Sequence, residues 1–170
     1  MQRELISIPK MLLYALVTIL VYVIQTTVFG AHPLFGYHVD LLPAAVAAAA
    51  LLSSPAEGAV LGVIVGVLYD IGTVGIDGLM PIFFFAFGYG AGALSRLTLR
   101  RNYLSMLMLT AGEMLTIGLL RYLFSLMQAG ARFLPVLRQI VGGTLLACVF
   151  CFIVYLPLRR LSGKSRKRSR

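Results

Sequence analysis

The side chains able to do chemistry are few and far apart. Glu113 stands about ten residues into the apolar segment Tyr103–Met127, where an ionised carboxylate is costly. Arg121 lies eight residues later, on the same helical face but two turns away, too far for the usual i,i+4 pair. Glu113 therefore needs a partner on another helix, a proton or water; a structural hydrogen bond, a ligand or a partner protein would each supply one. Asp70 closes an apolar run. It either caps a helix and accepts backbone hydrogen bonds, or pairs with an arginine inside the membrane. Asp77, between Ile76 and Gly78, reads as a turn residue. His32 and His38 share one loop, and Asp40 is the only acid beside them. That is too little for a metal or catalytic site. Cys148 and Cys151 sit three apart in an apolar segment without further ligands, and read as packing residues. There is no phosphate-cradling Walker loop, nucleophile elbow or H-E-x-x-H pair. No histidine is placed in a membrane segment to serve an intramembrane serine protease. The expectation is a protein that is not an enzyme, with no catalytic residues, no metal and no cofactor.

Composition names the solvent that must position these residues. Of 170 residues, 59% are hydrophobic and only 12% are charged. A soluble domain of this size cannot hide so much apolar surface, whereas a bilayer can. The net charge of +9 does not point to nucleic acid. Seven of the fifteen basic residues fall in Arg159–Arg170, directly after an apolar segment, as a cytoplasmic anchor would. The chain divides into one transmembrane helical domain, 1–158, and a basic cytoplasmic tail, 159–170.

Six apolar segments follow one another: Met11–Phe29, Leu41–Leu52, Gly58–Tyr69, Leu79–Leu94, Tyr103–Met127 and Leu134–Leu158. The first has no A-x-A cleavage site after it and is expected to stay as an anchor. Ser54, Pro55 and Glu57 form a helix start, with Ser54 as N-cap. With the N-terminus inside, Arg3, Lys10, Arg96, Arg100, Arg101 and the tail are cytoplasmic, 12 of the 15 basic residues. Positive charge thus favours an all-α, polytopic bundle of about six spans with both termini cytoplasmic. The second and third segments are short. They either span, or enter from outside as a re-entrant hairpin; the charge bias is the same for both.

Gly58, Gly62 and Gly66 recur every four residues, and Asp70 extends that face by a turn; Gly88 and Gly92 repeat the spacing. Small residues let helix backbones approach closely in lipid. These faces either pack on each other within the bundle or receive a partner's helix.

Between His38 and Arg96 the chain carries, in order, His38-Val39-Asp40-Leu41-Leu42, Pro55-Ala56-Glu57-Gly58-Ala59-Val60-Leu61-Gly62, Gly66-Val67-Leu68-Tyr69-Asp70, Gly75-Ile76-Asp77-Gly78-Leu79 and Gly88-Tyr89-Gly90-Ala91-Gly92. The order and spacing of these motifs resemble the MreD family of rod shape-determining membrane proteins. Val39 stands where the family often has proline. The resemblance covers about a third of the chain by motif and the remainder by hydropathy. It implies a scaffold subunit of the cell-wall elongation complex in the bacterial cytoplasmic membrane. Direct binding of MreC is implied, with RodA, a class B penicillin-binding protein and MreB as complex members. MreD-like proteins are also similar in fold to the substrate-binding subunits of energy-coupling-factor vitamin transporters. A second expectation follows, a transporter subunit in which Glu113, Arg121, His38 and Asp40 face an outward pocket. A third is lipid handling, with the basic tail beside anionic membrane lipids.

Overall fold

An alanine-rich helix forms the centre of the molecule. The computed structural model describes residues 8–29, 37, 39–72, 78–97, 102–129 and 133–168, and every regular element among them is helical. The elements are α1 (Ile8–Ile24), continued by a π-helical turn (Gln25–Phe29), then α2 (Leu42–Leu52), α3 (Pro55–Gly72), α4 (Leu79–Leu97), α5 (Tyr103–Ala129) and α6 (Phe133–Arg168). All 11 residues of α2 are buried, and α2 touches each of the other five helices. Alanine is the best helix former, and its small side chain lets five neighbours close around one axis. Pro43 fits the first turn of α2, where the missing N–H is no loss.

The helix start foreseen at residues 54–57 forms a reciprocal cap on α3. The Glu57 N–H donates to Ser54 Oγ, and the Ser54 N–H donates to Glu57 Oε2, each at 3.2 Å. Three helical stretches are long and apolar enough to cross a membrane: Lys10–Val28, Tyr103–Leu123 and Val136–Arg159. Their outer faces expose Leu12, Leu16, Leu20, Leu104, Met108, Leu119, Leu145, Val149 and Phe152, an apolar coat that suits lipid rather than water. This is a helical membrane protein. The helix of α6 continues past Arg159 to Arg168, so the start of the basic tail extends the last helix.

Candidate functional site

The glycine faces are used inside the protein. A Cβ on Gly58 would lie 2.7 Å from the Gly88 carbonyl oxygen, and one on Gly92 would lie 2.7 Å from Pro55 Cα. Hypothetical Cβ atoms on Gly62 and Gly66 would collide with the Phe84 carbonyl oxygen and with Pro81 Cα. Thus α3 and α4 meet backbone to backbone along their length. Asp70 ties the far end of the hairpin, its Oδ2 accepting the Gly78 N–H at 2.7 Å. Gly78 has φ +87°, a left-handed conformation that favours glycine. Ser95 Oγ donates to the Ala50 carbonyl at 3.3 Å, joining α4 to the central helix.

Polar groups gather at the two ends of α1. At its start, Lys10 Nζ pairs with Glu57 Oε2 at 2.8 Å, and both side chains are largely buried. Where α1 passes into its π-helical turn, Gln25 bridges to the chain ahead of α2. Gln25 Nε2 donates to Asp40 Oδ1 at 2.9 Å, and Gln25 Oε1 accepts the Leu41 N–H at 2.7 Å. The Tyr69 hydroxyl donates to Asp40 Oδ2 at 2.9 Å. Arg121 Nη1 stands 3.9 Å from the same oxygen, and its guanidinium lies over the Tyr69 ring, 5.1 Å from the centroid.

This second cluster forms part of the wall of a cavity of about 430 Å³ between α1, α2, α3, α5 and α6. Asp40, Tyr69, Gln25, Arg121 and Gln139 give it a polar side. Val39, Leu68, Met114, Ile117, Val136 and Ile140 give it an apolar one. Beside it, Tyr37 rests on Gly142 of α6 and its hydroxyl accepts Arg138 Nε at 3.0 Å.

Glu113 is elsewhere. It is fully buried, neither oxygen has a hydrogen-bond partner among the described residues, and it is not part of the cavity wall. The structure therefore brings Arg121 together with Asp40 rather than with Glu113. One turn away, Thr110 lies 3.7 Å from the Cys151 sulfur, joining α5 to α6. His32, His38, Asp77, Arg3, Arg100, Arg101 and Arg132 lie outside the described residues. Among the described residues no group of three His, Cys, Asp or Glu side chains could hold a metal ion.

Sequence reasoning did not single out Gln25, Tyr69 or the Lys10–Glu57 pair. A signal existed for Gln25, the only amide side chain in Met11–Phe29. An amide in a membrane helix must find a partner. Comparison with protein-family models, with curated proteins and with solved structures finds no match.

Proposed function

We propose that this chain is a non-enzymatic scaffold subunit of the bacterial cell-wall elongation complex, an MreD-like protein that binds MreC in the cytoplasmic membrane. RodA, a class B penicillin-binding protein and MreB would be fellow members of that complex. The observation that carries this reading is where the family-like motifs fall. The segments from Asp40 to Arg96 form one body, the central helix and a hairpin closed by glycines, and their conspicuous residues are spent on holding it rigid. Asp40 joins Tyr69, Ser95 joins Ala50, and Glu57 caps its own helix. A rigid core with apolar outer faces suits a protein that holds other membrane helices.

In this proposal all six segments span and both termini are cytoplasmic. The contacts at the two ends of α1 support it. Lys10 and Gln25 are about 22 Å apart along a helix. One meets Glu57 just after α2, and the other meets Leu41 just before it. The short central segment therefore runs beside α1 over most of its length, as a crossing does and a shallow re-entrant turn does not.

The test is capture of MreC by the tagged chain after crosslinking in intact bacterial membranes, together with depletion of the chain. Retention of MreC and loss of rod shape are expected. Rod-shaped growth after depletion, with no MreC captured, would sink the proposal. Substitutions in the glycine face do not serve, because they break the hairpin itself.

The cavity favours a second reading, the substrate-binding subunit of a vitamin-type transporter. Asp40 and Arg121 line it as that reading requires, while Glu113 does not. Co-purification of a transporter ATPase and tight binding of one vitamin from a panel would establish it; their joint absence would remove it.

A further inference from the structure

Among the described residues, Arg121 is the charged group of the cavity wall whose donors are not taken up. Asp40 has both oxygens occupied, by Gln25 and by Tyr69. Gln25 is occupied on both sides as well. Arg121 carries five N–H donors, yet among the described residues it makes only the 3.9 Å approach to Asp40 and the stacking on Tyr69. A separation of 3.9 Å is too long for a hydrogen bond. Its side chain is 46% exposed, so the guanidinium can reach a group arriving from outside the bundle. The same wall carries apolar side chains, Met114, Ile117, Val136 and Ile140. Three of the five helices that line the space belong to the long apolar stretches that suit a bilayer.

We propose that the cavity holds one anionic phospholipid, its phosphate on Arg121 and the upper part of an acyl chain against Met114, Ile117, Val136 and Ile140. Arginine forms charge-assisted, often bidentate, hydrogen bonds to phosphate. A volume of about 430 Å³ falls within the roughly 300–1,000 Å³ of small-molecule sites. It takes a headgroup and part of one chain, leaving the rest of the lipid in the bilayer. The inference does not depend on the scaffold proposal. It also differs from the transporter reading, which requires a water-soluble ligand. The seat would fix a lipid at the junction of α1, α5 and α6, where a partner helix could meet it.

The experiment is native mass spectrometry of the full chain in a neutral detergent, titrated with phosphatidylglycerol, phosphatidylcholine and inorganic phosphate. Phosphatidylglycerol is expected to bind in a single copy and more tightly than phosphatidylcholine. Arg121→Gln should weaken it roughly tenfold, the scale of one charge-assisted contact, and Arg121→Lys should restore part of the loss. Thermal unfolding of each variant shows whether it remains folded. Val136→Trp, which enlarges an apolar lining residue and keeps the arginine, should weaken the same lipid independently. Unchanged lipid binding in folded Arg121→Gln, or in Val136→Trp if the first variant does not fold, overturns the proposal. Equal binding of the two lipids removes the headgroup assignment. Inorganic phosphate binding as tightly as phosphatidylglycerol replaces the lipid with a free anion.

Discussion

Glu113 separates what a residue suggests from what its surroundings allow. From sequence it invites a partner, because a carboxylate deep in an apolar helix is costly. In the structure both of its oxygens are buried without a hydrogen bond among the described residues. A buried polar group in that condition destabilises the fold, by about 1–3 kcal/mol on mutational scales. Glu113→Leu, of similar size, is therefore expected to raise the thermal midpoint of the detergent-solubilised protein. Glu113→Gln, which keeps the polarity and gains no partner, should change it little. A fall in the midpoint for Glu113→Leu would show that the carboxyl is satisfied in the solubilised protein. Asp40 is the opposite case. The sequence set it beside the loop histidines and on the outward pocket of a transporter reading, but named none of the partners it meets. Its weight comes from Gln25, Tyr69 and Arg121, residues distant in the chain that converge on one carboxylate.

At the scale of elements, the α3–α4 hairpin shows that glycines in one stretch of sequence do different work. A Cβ on Gly62 meets backbone, the Phe84 carbonyl, whereas one on Gly90 meets nothing within 4 Å. Gly62→Ala must push two helix axes apart. It is expected to destabilise by more than about 3 kcal/mol, the upper end for overpacking. Gly90→Ala should be neutral or stabilising by about 0.5–1 kcal/mol, the helix-interior preference for alanine. Chemical unfolding in detergent compares the two; similar losses for both would refute the close approach. The spacing of Gly58, Gly62, Gly66, Gly88 and Gly92 was legible because a small-residue repeat has a direct geometric meaning. Whether that face met α4 or a partner was not legible, since either neighbour accepts the same glycines. The Lys10–Glu57 pair was hidden for another reason. Glu57 fully explains itself as the acid of a capping box, so nothing local announces a lysine 47 positions earlier. Glu57→Gln keeps the cap geometry and removes the charge. It should cost about 1.5–3 kcal/mol, the scale of a hydrogen bond to a charged group, and thermal unfolding beside Lys10→Met in a double-mutant cycle would measure the coupling.

For the whole molecule, hydropathy and charge bias already indicated a helical membrane bundle, because both follow from the cost of placing polar and charged groups in hydrocarbon. They could not decide whether Leu41–Leu52 crosses, since a 12-residue helix rises only about 18 Å. The arrangement around α2 explains how so short a helix can serve. Five others pack around it and all 11 of its residues are buried, so its own apolar span need not match the bilayer. Its two ends reach opposite ends of α1 through Gln25 and Lys10. That register predicts the α2–α3 junction on the same side of the membrane as the N-terminus. Ala56, partly exposed at the junction, provides the probe. In a background with Cys148 and Cys151 replaced by alanine, Ala56→Cys should react with a membrane-impermeant maleimide only when the cytoplasmic side is opened. Ser162→Cys in the basic tail should behave in the same way, and Ala31→Cys should react from outside in intact cells. Labelling of Ala56→Cys from outside, with the two controls as expected, would replace the crossing by a re-entrant hairpin and leave the other four segments where they are.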